Sequence, residues 1–451
     1  MRYASQIPQE SIDALRKMAE ADPAYFRHPH PAKGRFLVRS EPEFWCYKCW
    51  CEVLETAEEG SGLETFFATQ DLNFRLPDGF HPEQTASMAA ASDLMAVDCI
   101  TDEFTPHIFD EIRDFYLTAD LPTANLESTV YAAAPFGRNQ APVKKGQTRT
   151  AANPRMNTSE AMLDKFVRSG IRYFSMANNH CNDYGTPGLE ATMDAMDRHG
   201  VAWSGINRRP EDQEKALVLE VNGIRFAMLS ATYDLNGNDC EQPWQVNEVR
   251  FDDVPCDLSL IARQIEDARR QNADLIVLHA HWGWEFEMYP HPNIVSVAHR
   301  LAEMGVDVIV GTHPHVAQPM ERYVFTRDGE THEALILYSL GDFVSYHPVT
   351  KNSRITYVVR FNAVKGTLEG KSRTVLTDLR ILPVYILASR QDDGRYDFRL
   401  LRFSNILRDR PDENGRYRYP LADWEREDLP RLQDLFTRIL LPLEPGSLIA
   451  E

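Results

Sequence analysis

The chain has no run of the roughly 18 apolar residues that a membrane-spanning helix needs. Its opening stretch, MRYASQIPQESIDALRK, has no apolar core of the kind a secretory leader carries. Both absences lead to the expectation of a soluble, cytoplasmic protein without membrane contact. Positive charge is also short, with 48 Lys and Arg against 67 Asp and Glu and a formal net charge of −19. Tracking a phosphate backbone takes a basic face, so nucleic acid is not an expected partner. Cysteine is sparse and odd in number, at seven. Cys46, Cys49 and Cys51 cluster in FWCYKCWC, while Cys99, Cys181, Cys240 and Cys256 are scattered. A closed zinc site needs four ligands and no second close pair follows, so the aromatic-flanked cluster reads as buried thiols. His28 and His30, in the proline-rich HPHPAKG, read as exposed.

What is present is an ordinary globular composition, 43% hydrophobic and 25% charged. Residues 1–85 read as an irregular N-terminal extension. From there helical and strand patterns alternate. NTSEAMLDKFVRSG carries Asn157 as an expected helix cap with Glu160 three residues on and Gly170 at the end. IRYFSMA follows as a strand. TPGLEATMDAMDRHG is a second helix, with Thr186 as cap, Pro187 in the first turn and Leu189, Met193 and Met196 on one face. VLEVNGIRFAML predicts a hairpin turning at Asn222-Gly223. Helices at LSLIARQIEDARRQ and NIVSVAHRLAEMG alternate with strands at ADLIVLHA, VDVIVG and ALILYSL. This order predicts an α/β domain over 86–348. Residues 349–451 read as a C-terminal extension completing or covering it.

Six polar clusters fall at expected strand ends. They hold Asp93; Asp120, Asn125 and Glu127; Asn179, His180 and Asp183 of SMANNHCNDYG; His279, His281 and Glu285; His313 and His315 of GTHPHVAQPME; and Asp342 of YSLGDF. Alone, each has a plainer reading as a turn residue, loop support or packed histidine. Together, they suit ligands converging in the crevice beyond the carboxyl ends of an α/β sheet. Carboxylates can bridge two divalent cations, while imidazoles and an amide oxygen complete the shells. Such N and O donors without thiolate point to Mn, Fe, Zn or Co. A further histidine beside them can hand a proton to a leaving group.

These motifs, in this order, resemble the CapA family of poly-γ-glutamate capsule synthesis proteins, within the calcineurin-like metallophosphoesterase superfamily. NLE, ANNHCNDYG with TPGLEAT, HWGWEFEMYPHP, GTHPHVAQPME and YSLGDF carry the resemblance over about 88–346. It implies a calcineurin-like αββα sandwich. It also implies a dinuclear centre held by Asp93, Glu127, Asn179, His281, His313 and His315, with His180 catalytic. Asn125, Asp183, Glu285 and Glu321 are implied as supports of the ligands or contacts to substrate. Three positions depart from the family pattern. Ser92 stands where a glycine is usual, Thr312 replaces a histidine, and Asp342 replaces an asparagine.

The resulting expectation is a metal-dependent hydrolase with two divalent ions, of phosphoesterase type, on a small or short oligomeric anionic substrate. Hydrolysis of a γ-glutamyl amide, or a non-catalytic role in making or binding poly-γ-glutamate, are the alternatives. A homo-oligomer is left open.

Overall fold

A computed structural model describes residues 8–22, 31–32, 35–36, 46–48, 51, 54–139, 154–347, 350–391, 393–440 and 448–449. His28, His30 and Cys49 lie outside them. Cys46 and Cys51 are half-buried.

The structure is the expected mixed α/β sandwich. The strands that position the site are β1 (His81–Leu94), β2 (Leu121–Leu126), β3 (Tyr173–Ser175), β4 (Ala202–Ser204), β5 (Leu217–Val221), β6 (Ile224–Thr232), β7 (Leu275–His281) and β8 (Val308–Thr312). They are followed by β9 (Met320–Arg327), β10 (Glu330–Leu337), β11 (Asp342–Val344), β12 (Ile355–Leu368), β13 (Lys371–Arg390) and β14 (Tyr396–Arg402). One sheet has the order β14-β13-β12-β1-β2-β3-β4, with β11 also paired to β1; the other has the order β9-β10-β8-β7-β6-β5. β1 to β4 run parallel, as do β6, β7, β8 and β10.

The period of two along β1 shows how the layers form. Ala86, Met88 and Ala90 join the core that also holds β6, β7 and β8. Ala89 and Ala91 face the opposite core, against helices α1 (Glu160–Ser169) and α2 (Gly185–His199). Covered on both faces, the strand from Ala86 onward is buried throughout, as parallel sheets require. Helices α3 (Ser259–Arg270) and α4 (Pro292–Met304) pack with the first core through Ile261, Ile265, Ala298 and Leu301. The carboxyl ends of β1, β2, β3, β7 and β8 carry the polar clusters.

Most expected elements are present, and the differences have local causes. Ser159, not Asn157, caps α1, accepting from the Met162 amide. Asn157 ends a short strand and instead accepts from Thr129 Oγ1 and the Tyr131 amide. α2 starts at Gly185 without a side-chain cap, and the Thr186 hydroxyl accepts from Gln245 Nε2. The Asn222-Gly223 hairpin forms with φ of 51° and 80°. β9 was not expected from its sequence. The strands β12 to β14 extend the first sheet past β1, and helix α5 (Asp423–Leu440) follows them. No helix among the described residues is long and apolar enough to cross a membrane.

Gly311 in β8 marks a close backbone approach. A Cβ there would overlap the carbonyl oxygens of Tyr338 and Leu337. Gly311→Ala should therefore lower stability by about 3 kcal/mol, read as a lower urea midpoint at unchanged slope. An unshifted midpoint would contradict it.

Candidate metal centre

Two local distortions aim the expected ligands. The register between β1 and β2 shifts between Ala90 and Asp93, turning Asp93 at the strand end. His313 and His315 flank Pro314 with φ of 97° and 57°, in the left-handed region that such side chains rarely adopt. Strain of this kind persists where the surroundings over-determine it, and it clusters at functional sites.

The side chains then converge. His281 Nε2 lies 3.0 Å from Asn179 Oδ1 and 3.7 Å from Glu127 Oε1. His315 Nε2 lies 3.8 Å from the same Glu127 oxygen, and His315 Nδ1 is 3.7 Å from Asp93 Oδ2. One donor atom each of Glu127, His313 and His315 fall within 4.8 Å of one another. Ligand atoms bonded at about 2.1 Å to one ion sit about 3 Å apart at a right angle and about 4 Å apart across it. The donor set spans that range. All six expected ligands are buried.

The decisive test of fit is polar satisfaction. Both Glu127 carboxylate oxygens and His313 Nδ1 are buried without a hydrogen-bond partner among the described residues. A buried carboxylate with neither oxygen paired is costly unless a cation meets it. The residues therefore fit divalent ions of the N/O-preferring kind. Without such ions, burial pushes the Asp93 carboxyl up to about 6 and Glu127 well above its ordinary value. Burial likewise depresses His281 and His313, keeping both imidazoles neutral and able to ligate. For His315, burial is outweighed by Glu127, Asp342 and Asp93, and its pKa rises to about 10.

A surrounding shell orients these groups. Asn125 Nδ2 donates to Asp93 Oδ1 at 2.8 Å, and Asn125 Oδ1 accepts from Ser175. The Thr312 hydroxyl lies 2.8 Å from His281 Nδ1. With Nδ1 as donor, the hydroxyl accepts and leaves Nε2 free to ligate. Thr312 is thus not merely a lost imidazole. His180 Nδ1 lies 2.8 Å from Asp183 Oδ2, which also accepts from the Met156 amide at 2.7 Å. Glu285, half-buried, is close enough for its charge to act on Glu127.

Other expected positions lie apart from this cluster. Glu321 accepts from His299 and from the Tyr338 hydroxyl, neither of them a ligand candidate. Asp120 immediately precedes β2 and accepts from the amide and hydroxyl of Ser87. His279 is buried within β7 against the Tyr173 ring, and burial pushes its pKa down to about 3. It is a core histidine, one pleat short of the strand end that carries His281.

Sequence reasoning missed His347, whose Nδ1 sits 2.7 Å from Asp342 Oδ2. It also missed Tyr233, whose ring centroid is 4.6 Å from that of His313. The buried Lys48–Glu287 pair, at 2.9 Å, ties the N-terminal segment to the loop after β7. No motif spacing announces the last two contacts, which are distant in sequence.

Comparison with known proteins agrees with the family resemblance. The family described as bacterial capsule synthesis protein PGA_cap matches residues 83–347. The capsule biosynthesis protein CapA of Bacillus anthracis is 27% identical over 284 residues, covering 58% of this chain and 63% of that protein. The PGA biosynthesis protein CapA of Bacillus subtilis is 26% identical over 275 residues, covering 61% and 65%. A probable polyglutamine synthesis accessory protein of Mycobacterium tuberculosis is 27% identical over 179 residues, covering 38% and 44%. The chain thus spans just under two-thirds of the length of the two CapA relatives.

Proposed function

Because the chain belongs to the bacterial capsule synthesis protein PGA_cap family, we propose that its buried centre is that of a metal-dependent hydrolase of phosphoesterase type. The observation that carries this reading is Glu127, whose two unpartnered buried oxygens lie beside His281 and His315. Asp93, Glu127, Asn179, His281, His313 and His315 would hold two divalent ions. Bound there, such ions would activate water and neutralise charge developing on a substrate oxygen. The chain's own residues do the rest. Asp183 fixes the His180 ring, Asn125 holds Asp93, and Thr312 holds His281.

An anionic substrate is favoured by the rim. A short hairpin pairs Gly137–Asn139 with Arg155–Asn157. It rests on the site loops, since the Met156 amide binds Asp183 and Asn139 Nδ2 binds the Tyr184 hydroxyl. Arg138 lies 3.3 Å from Asp98 and near enough to His347 for its charge to act there. Arg155 lies 5.3 Å over the Tyr184 ring. From Phe136 to Arg155 the sequence carries five basic and no acidic residues, in a chain of net charge −19. Arg138→Ala and Arg155→Ala should each raise KM about tenfold with little change in kcat, since they bind charge away from the reacting bond.

The deciding experiment pairs metal analysis of the purified chain with turnover of p-nitrophenyl phosphate, bis-p-nitrophenyl phosphate and γ-glutamyl peptides. Two ions per chain with phosphoester turnover are expected. A metal-free chain with its ligands intact would sink the reading. Turnover of the peptides alone would replace it with amide hydrolysis. Binding of poly-γ-glutamate without any turnover would favour the accessory role named for the mycobacterial relative.

A further inference from the structure

We infer that Asp342 is a positioning residue shared by two imidazoles: it aims His315 at the metal centre, and His347 braces its other oxygen. The inference rests on the reading of His315 as a metal ligand. It adds two residues that this reading does not need.

Asp342 opens β11 and pairs in register with Asp93 on β1, so its backbone is fixed beside the first ligand strand. It is fully buried. Its Oδ1 is 2.9 Å from His315 Nδ1, and its Oδ2 is 2.7 Å from His347 Nδ1. A carboxylate only accepts, so each contact places the imidazole proton on Nδ1. For His315 the consequence is specific. Its Nδ1 is committed, so Nε2, which faces Glu127 at 3.8 Å, is the nitrogen that would give up its proton and offer a lone pair to a metal.

His347 completes the arrangement. An asparagine at 342 has one acceptor oxygen and could serve one imidazole in this way; a carboxylate has two and serves both. Without His347, Oδ2 would be a buried oxygen lacking its present partner. The rings are packed as a unit as well. His347 and His315 have centroids 4.4 Å apart, and the Phe286 ring meets His347 edge-on at 5.5 Å and His315 at 5.8 Å. A rotation of His347 would therefore disturb both the carboxylate and the ligand ring.

The same three side chains could hold a cation of their own. That arrangement needs the Nδ1 lone pairs, and so the opposite tautomers. The two possibilities are distinguishable by experiment.

Nitrogen NMR of histidine-labelled, metal-free full chain should show His315 and His347 protonated on Nδ1. Calorimetric titration with Mn²⁺ should then show Asp342→Asn weakening one of two sites about 10- to 100-fold. His347→Gln should weaken the same site by a smaller factor. Because the two act through one carboxylate, the double variant should lose no more than Asp342→Asn alone. A His315 Nδ1 that carries no proton, affinity within twofold of wild type in Asp342→Asn, additive losses, or a third ion per chain would each overturn the inference. A wild type that takes up no metal would sink the hydrolase reading instead. The NMR assignment still decides whether Nδ1 holds its proton in that case, and the wild-type spectrum needs no variant to fold.

Discussion

Glu127→Gln is expected to remove metal from the centre and at least about 10³ of the turnover, while making the metal-free chain more stable. The first effect follows from position. Glu127 stands between His281 and His315, and both its oxygens lack a hydrogen-bond partner among the described residues. Losing one such ligand forfeits several kcal/mol of charge stabilisation at the reacting atoms. The second effect follows from burial. In the metal-free chain those oxygens are desolvated for no return, so removing the charge should raise stability by about 1–3 kcal/mol. The signs reverse when ions are added. Wild type should gain about 2.7 kcal/mol at one hundred times Kd, and the variant little. The pH dependence has a definite sign as well. Burial raises the Glu127 carboxyl above its ordinary 4.5, so the folded state holds a proton that the unfolded state releases. Its contribution to the metal-free chain is therefore present below that value and is lost as pH climbs past it. The variant's advantage should widen with rising pH. Thermal melts with and without Mn²⁺, across pH, read all of these, and metal analysis reads occupancy. A variant that keeps two ions, or that melts lower than wild type without metal, would contradict the assignment of Glu127.

The legible part of this protein was the part written in short periods. Ala86, Met88 and Ala90 against Ala89 and Ala91 show a strand covered on both faces, and Leu189, Met193 and Met196 mark one buried side of a helix. The convergence of the expected ligands was legible because their motifs sit where such strands end. The failures came where period and position disagree or where contacts are remote. His279 and His281 share one face of β7, and only the strand's end decides which reaches the centre. Asn157 and Ser159 are both good caps, two residues apart, and the competing bonds to Thr129 and Tyr131 claimed Asn157 for a strand. The strand MERYVFTR was hidden by its half-exposed, charged outer face. Asp342 was visible as a substitution, but its partner His347 lies past the last motif and has no signature of its own. Thr312 looked like a loss, and only its distance to His281 shows the hydroxyl in a supporting role.

His180→Gln should leave both ions in place and still lower kcat by about 10²–10⁴-fold, the range for a positioned proton donor. His180 is outside the expected ligand set, and its Nδ1 is committed to Asp183 Oδ2 at 2.8 Å. That bond leaves Nε2 to handle the proton. Asp183 is itself anchored, accepting from the Met156 amide at 2.7 Å and from Asn238 Nδ2 at 3.3 Å. The ring is thus held by a buried carboxylate that the hairpin strand carrying Arg155 helps to fix. Asp183→Asn should cost less than His180→Gln, about 10- to 100-fold, by loosening the ring rather than deleting it. The leaving group separates proton donation from mere shape. A p-nitrophenolate needs little help from an acid, whereas an alkoxide needs a proton as the bond breaks. The loss in His180→Gln should therefore be smallest on p-nitrophenyl esters and grow as the leaving group becomes more basic, with KM nearly constant. Equal losses on both kinds of ester would assign His180 to charge stabilisation instead. Loss of metal along with turnover would make it a ligand, and the division of labour within ANNHCNDYG would have to be redrawn.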